Sequence, residues 1–435
     1  MPFAMSQPVR VLLALVLGLA LGIVSASSGG AWVDGAISVA EPIGTAWLNA
    51  LRMTIVPLVT SLLIVGIATT AEAANASRLA GRSLAIFIVC IWTSAALAAL
   101  LTPLFLQILP LPVESAGALR AALSQATQPT AEVPGIADFL GSMIPTNPIA
   151  AAANDAILPL IVFTTVFAFA LLRLPREPRE QLTGFFRAVA DVMLVIIGWV
   201  LWLAPIGVFA LAFVVGARAG GAAFGALLHY IVIVSAVGVV IWMLAYPLAV
   251  FGGRVPLGRF ARAVAPSQAV AISTQSSLAS LPAMLRSSEA VGVAPATAGV
   301  VLPLAVAIFR ATGPGMNVAV VLYVAHWYGM ELGPLQIAAG IAAAAITTLG
   351  AVSLPGQVSF VTSIAPICLA MGIPIEPLAI LIAVETIPDI FRTVGNVTMD
   401  VAVTATVAER SGGPAAESGL LDTHGHEPPE VTQGP

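Results

Sequence analysis

The stretch VETIPDIFRTVGNVTMD, residues 384–400, sets six polar or ionisable side chains at helical spacing in a largely apolar run. Counted from Asp389, Glu385 falls at i−4, Arg392 at i+3, Thr393 at i+4, Asn396 at i+7 and Asp400 at i+11. At roughly 100° per residue, a helix gathers them within an arc of about 100° on one face. Such a stripe inside a membrane marks a functional site. The Arg392 guanidinium can take a carboxylate through two parallel hydrogen bonds, and Asp389 can take an ammonium. Together they describe a receptor for an acidic amino acid, aspartate or glutamate. A C4-dicarboxylate is the alternative, favoured if Asp389 is protonated or held by Arg310. An ion-pair ladder that only glues helices together would not need three carboxylates and an amide.

Three further stretches carry chemistry. LAVAIFRATGPGMN, residues 304–317, puts Arg310 in the middle of an apolar segment and follows it with Gly-Pro-Gly. A cation at the bilayer centre costs at least ~2.5–3.5 kcal/mol, so the charge and the helix break mark a site. STQSSLASLP, residues 273–282, is rich in small hydroxyl residues, among them Ser276 and Ser277. Free N–H groups and hydroxyls at a half-helix end suit a carboxylate, although small residues also serve plain helix packing. GAVSLPGQVSF, residues 350–360, has Pro355-Gly356 where the chain must reverse, the kind of position on which lids hinge.

These segments need elements to hold them. The chain of 435 residues is 59% hydrophobic and only 9% charged, with a mean hydropathy of +1.01. That composition cannot cover a water-soluble particle. It describes an all-α polytopic membrane protein. Apolar runs near 11–27, 43–71, 83–109, 145–172, 186–215, 225–252, 295–325 and 374–404 suit eight transmembrane helices. The interrupted stretches 265–286 and 336–370 read as two re-entrant helical hairpins, because irregular backbone at membrane depth must be buried in protein or line a cavity. The run 11–27 also looks like a signal peptide, but the many spans that follow favour a retained first helix. FRATG at 309–313 and FRTVG at 391–395 each follow a broken hairpin, as inverted repeats would arrange.

All 17 basic residues are arginine. Arg10, Arg78, Arg82, Arg173, Arg176, Arg179, Arg187, Arg254, Arg259 and Arg262 fall in alternate connections. Asp34, Glu114, Glu132 and Asp138 hold the others, with Arg120 and Arg218 as exceptions. This asymmetry places both termini in the cytoplasm and the protein in the inner (plasma) membrane, surrounded by lipid. A net charge of −4 without basic runs offers nothing to nucleic acid. Cys90 and Cys368 form no disulfide or metal pattern, and no organic cofactor is implied. HGHE in the tail is a solvated segment rather than a metal site. An enzyme is excluded: no Gly-x-Ser-x-Gly or His-Glu-x-x-His occurs, and His229 and His326 lie near span ends without triad partners for Ser276 or Ser277.

SSLASLP, LPLAVAI, the Pro-Gly lid and DIFRTVGNVTMD together resemble the dicarboxylate/amino acid:cation symporter family, the glutamate-transporter homologues, over about residues 10–408. MTIVPLVTSLLIVGIA and WLAPIGVFAL look like its second and fifth spans. The resemblance implies an elevator-type secondary transporter of a small carboxylate, assembled as a homotrimer. Residues 1–78 would hold scaffold spans one and two, 79–109 span three of the transport domain, and 110–218 scaffold spans four and five. Residues 219–408 would complete the transport domain, and 409–435 form a disordered cytoplasmic tail.

Carried over by position, Asp389 would bind the substrate amino group and Arg392 its side-chain carboxylate. Thr393, Asn396, Ser277, Ser276, Gly313 and the Gln275 backbone would complete the contacts. Leu354, Pro355, Gly356 and Val358 would form the lid. Asn396 and Asp400 match ligands of one sodium site, Thr93 and Ser94 ligands of another, and Ala305 and Phe309 fall at span-seven cation positions.

The chain departs from the resemblance at span seven. The family carries Asn-Met-Asp-Gly-Thr where this chain reads Phe309-Arg310-Ala311-Thr312-Gly313. Losing an Asp and gaining an Arg makes the core more positive by the charge of two sodium ions. Arg310 is therefore a candidate built-in cation beside the Thr93/Ser94 site, with sodium coupling reduced or absent. Glu385 and Asp400 are then candidate proton carriers. An uncoupled exchanger or facilitator is the further alternative.

Overall fold

The computed structural model describes residues 7–28, 32–76, 78–111, 144–154, 156–350 and 356–411, and within them the only regular secondary structure is helical. The first half forms α1 (Gln7–Ser28), α2 (Trp32–Arg52), α3 (Ile55–Ala76), α4 (Arg78–Ile108), α5 (Pro148–Ala153), α6 (Ile157–Leu171), α7 (Arg176–Trp202) and α8 (Ala204–Ala219). The second half forms α9 (Ala222–Met243), α10 (Leu257–Thr274), α11 (Ser277–Val291), α12 (Pro295–Ile308), α13 (Gly313–Tyr328), α14 (Pro334–Gly350), α15 (Gly356–Ala370), α16 (Leu378–Val384) and α17 (Thr386–Arg410). A π-helical turn, Leu248–Gly252, lies between α9 and α10. The tail with its HGHE motif lies outside the described residues.

Among the described residues, six stretches are long and apolar enough to cross a membrane: Val9–Ser27, Trp32–Glu72, Arg78–Ile108, Arg176–Trp202, Phe224–Gly252 and Pro295–Tyr328. The protein is a multi-pass membrane protein. The difference from eight expected spans has local causes. The run 145–172 is divided between α5 and the shorter α6, and the last span opens with the polar stripe that divides α16 from α17 at Glu385. The run 186–215 breaks at Leu203, where the Pro205 ring enters the first turn of α8.

Both interrupted stretches become helix pairs. α10 ends at Gln275, whose φ of 50° is left-handed, and α11 starts one residue later with Ser276 as its N-cap. The Ser276 hydroxyl accepts the Ala279 N–H at 3.2 Å, satisfying one free donor of the new helix. α10 and α11 pack against each other, as do α14 and α15. In span seven, Phe309 leaves α12 in extended conformation, and Pro314 enters the first turn of α13. Residues 309–312 are thus an interruption between two helices.

The buried apolar residues fall into two clusters. The larger joins α1–α3 and α6–α8 to α9 and α13–α16, the smaller joins α10, α11, α12 and α17, and α4 contributes to both. α13 is buried on every side from Gly313 to Ala325, as a helix apolar all round must be. α7 instead leaves Phe185, Val192, Val195, Trp199 and Trp202 exposed, a face suited to lipid or another subunit.

α1 and α8 make the closest helix contact. A Cβ on Gly22 would stand 2.3 Å from the Phe213 carbonyl oxygen, and one on Gly216 2.5 Å from that of Leu19. Small residues let backbones approach in this way inside membranes. Because the obstacle is backbone, it cannot turn aside. Gly22→Leu should therefore destabilise the protein by about 1–3 kcal/mol, the usual penalty of overpacking. A thermal-denaturation midpoint equal to wild type would contradict this packing.

Candidate functional site

α17 is positioned by neighbours on most sides: α9, α10, α11, α12 and α4 all pack against it. One hub is Thr398, whose hydroxyl oxygen accepts from Trp242 Nε1 of α9 and Gln268 Nε2 of α10, both at 3.0 Å, while donating to the Val394 carbonyl. Along the stripe, Glu385, Asp389, Thr393, Asn396 and Asp400 are all buried, and Arg392 is nearly so. The structure divides these six residues into three groups.

The first group surrounds Arg392. Its Nη1 pairs with Glu385 and lies 3.0 Å from Asp389 Oδ1. The Tyr230 hydroxyl, from α9, donates to Glu385 Oε2 at 2.9 Å. Arg392 Nε and Nη2 are buried and have no hydrogen-bond partner among the described residues. These two donors form the side of the guanidinium that matches a carboxylate bidentately. Arg310 is half-buried and close enough to this group for its charges to act, Asp389 attracting it and Arg392 repelling it.

The second group joins the span-seven interruption to α17. The Thr312 N–H donates to Asn396 Oδ1 at 2.9 Å. The Thr312 hydroxyl lies 2.8 Å from the same oxygen and 2.7 Å from the Arg392 carbonyl oxygen, and can donate to either. The Asn396 oxygen is therefore engaged with protein donors.

The third group is Asp400 alone. It is fully buried with neither carboxylate oxygen bonded. Its sequence neighbours Met399 and Val401 belong to the smaller apolar cluster.

Residues expected to hold sodium do not converge. Phe309 is 1% exposed and stacks on Phe87 of α4 with ring centroids 4.4 Å apart. Ala311 is buried, and the Ala305 carbonyl accepts the Phe309 N–H at 2.7 Å. Thr93 is exposed, while the Ser94 hydroxyl is buried, unbonded and tight against Gly315. Among these residues the Asp400 carboxylate and the Ser94 hydroxyl offer unbonded side-chain oxygens. Among the described residues, no cluster of His, Cys, Asp and Glu could hold a metal.

The first hairpin tip satisfies itself locally. Ser276 caps α11, the Ser276 N–H donates to Thr274 Oγ1 at 3.3 Å, and the Ser280 hydroxyl donates to the Ser276 carbonyl. Gln275, Ser276 and Ser277 are half-buried and make no hydrogen bond to the stripe. Gly313 is buried at the start of α13, and Gly356 opens α15. Leu354 and Pro355 lie outside the described residues, as does the Val358 side chain.

Sequence reasoning missed Tyr230 and Phe87. Both lie in apolar helices where no spacing distinguishes them from packing residues. Tyr230 is fully buried, edge-on to Tyr323, whose hydroxyl lies 3.0 Å from His229 Nδ1.

Residues 8–410 match the sodium:dicarboxylate symporter family. The chain belongs to that family, whose members are transporters and not enzymes. The chain is 28% identical to the proton/glutamate-aspartate symporter of Escherichia coli (strain K12), over 89% of each chain. It is 28% identical to a C4-dicarboxylate transport protein of Anaeromyxobacter sp. (strain K), covering 90% of this chain and 87% of that one. It is 27% identical to a proton/sodium-glutamate symport protein of Bacillus caldotenax, covering 88% of this chain and 90% of that one.

The Thr312 contacts are open to test. Thr312→Val removes the hydroxyl and keeps the N–H, so stability should fall by about 1 kcal/mol, the net worth of one buried hydrogen bond. Thermal denaturation of the purified protein measures this. An unchanged midpoint would mean that the hydroxyl does not tie span seven to α17.

Proposed function

We propose that the protein is a secondary transporter of the plasma membrane, both ends cytoplasmic, that carries a small acidic carboxylate. The observation that carries this reading is the free fork of Arg392. Two carboxylates occupy Nη1 and fix the guanidinium, leaving Nε and Nη2 buried and unbonded. A neutral substrate would leave those donors desolvated without compensation. Aspartate or glutamate is the first substrate reading, with Asp389 as receptor for the ammonium. A C4-dicarboxylate is the second, favoured by the hold of Arg392 and Arg310 on Asp389. Both substrate classes occur in the names of the relatives.

Sodium coupling is reduced or absent in this reading. Four observations support it: the Phe309–Phe87 stack, Ala311, the engagement of Asn396 by Thr312, and the charge of Arg310 near Asp389. The remaining architecture follows the family resemblance. α1–α3 and α5–α8 form a scaffold, and α4 with α9–α17 forms a mobile unit that includes both re-entrant hairpins and moves as an elevator. A trimer is supported by the exposed apolar face of α7.

Arg392→Ala should weaken binding of L-aspartate and of succinate at least thirtyfold, since breaking a buried charge contact costs about 2–5 kcal/mol. Isothermal titration tests it, and unchanged affinity for both ligands sinks the assignment. Uptake into proteoliposomes with sodium replaced by choline separates the coupling modes. We expect accumulation to persist without sodium. Full dependence on sodium would refute the built-in cation, and equilibration without accumulation would identify a facilitator.

A further inference from the structure

Glu385 is a buried carboxylate for which direct binding of substrate has no use. Its side chain is 1% exposed and faces Arg392 and Asp389 on its own strand of helix. From the helices packed against α16 and α17, only Tyr230 of α9 brings it a further titratable group, the hydroxyl at 2.9 Å from Oε2. One guanidinium, one carboxylate and one phenol are therefore its whole polar surroundings among the described residues.

The charges of this group do not balance once substrate is present. Glu385 and Asp389 both lean on Nη1 of Arg392. A substrate carboxylate on Nε and Nη2 would be the third around one guanidinium. Like charges crowded around one cation in a low-dielectric interior repel strongly. A proton on one resident carboxylate removes that repulsion and leaves Arg392 to the substrate.

The surroundings decide which carboxylate takes it. Asp389 is held between two arginines, pairing with Arg392 at 3.0 Å and interacting with the charge of Arg310. Glu385 has Arg392 on one side and a phenol on the other. A phenol can donate to a carboxylate and accept from a carboxylic acid, whereas an arginine can only donate.

We infer that Glu385, partnered by Tyr230, is the proton-binding site coupled to substrate at Arg392. This rests on the reading of Arg392 as the carboxylate receptor. A proton from water adds to Glu385 Oε2 as substrate closes on Arg392, and returns to water when substrate leaves. The Tyr230 oxygen then accepts from the new O–H, its own hydrogen turning away from the carboxyl. No other bond forms or breaks. Because linkage is reciprocal, a substrate that draws in the proton is itself bound more tightly when the proton is present. Tyr230 acts as a positioning residue.

Isothermal titration of the full-length protein in detergent, with L-aspartate and with succinate, tests this directly. Titrations at one pH in phosphate and in Tris count protons through the difference in buffer ionisation heat. Wild type should take up about one proton for each probe molecule bound, the stoichiometry of a single linked site. In Glu385→Gln that uptake should vanish. Tyr230→Phe should still take up a proton, with the pH dependence of binding moved to higher pH, because the ionised carboxylate has lost a donor. If wild type binds either probe without proton uptake, or Glu385→Gln keeps the uptake, Glu385 is not the site although Arg392 can still be the receptor. If wild type binds neither probe, the receptor reading fails and the coupling falls with it. Should Glu385→Gln not fold, an unmoved pH profile in Tyr230→Phe overturns the inference.

Discussion

A guanidinium held by two carboxylates on its own helix is the interaction on which the rest of the site depends. Arg392 lies in a membrane protein, where an uncompensated cation costs at least ~2.5–3.5 kcal/mol. Glu385 and Asp389 supply the compensation from seven and three residues upstream, so a single run of helix carries cation and counter-ions together. The arrangement uses only one end of the arginine. Had the carboxylates taken the Nε side as well, the residue would be a structural ion pair with nothing to offer. Everything packed around α17 serves this geometry: Trp242 and Gln268 hold it through Thr398, and Tyr230 fixes the outer carboxylate.

The span-seven interruption is the second support. Residues 309–312 leave the helix, and each has a separate task. Phe309 stacks on Phe87, Ala311 is buried, and Thr312 joins the Arg392–Asn396 turn by its amide and hydroxyl. In a cation-binding arrangement the same backbone would present oxygens to an ion. Here apolar contact and hydrogen bonds to Asn396 hold the broken helix against α17. The break persists because protein groups satisfy it, as irregular backbone at membrane depth requires.

The broad architecture was legible because composition and periodicity are strong signals in membrane proteins. The two helix pairs, the broken span and the polar stripe all follow from apolar runs interrupted by Ser, Gly and Pro. The breaks within spans were less legible: the last span is interrupted at Glu385, and the run 186–215 turns at Leu203. Within the site, spacing on one helix placed six residues on one face but could not say which would bond to which. Thr312 occupying Asn396, and Tyr230 reaching Glu385, join residues 84 and 155 positions apart. A periodicity argument has no access to such contacts. Arg310 shows the same limit: its position marked a replaced cation motif, but spacing could not show that its charge acts on Asp389 and Arg392.

That partnership links two properties usually considered separately. If Arg310 takes the place of a bound cation, it does so beside the carboxylate that an amino-acid substrate needs for its ammonium. An incoming amino acid must share Asp389 with Arg310 and Arg392, and two like charges near one carboxylate weaken each other's hold. A dicarboxylate meets no such competition and gains a second cation nearby. On that reading, a residue that relieves the protein of sodium also tilts the site away from the ammonium group. Coupling ion and substrate class become two readings of one charge, and a change at Arg310 cannot alter either alone.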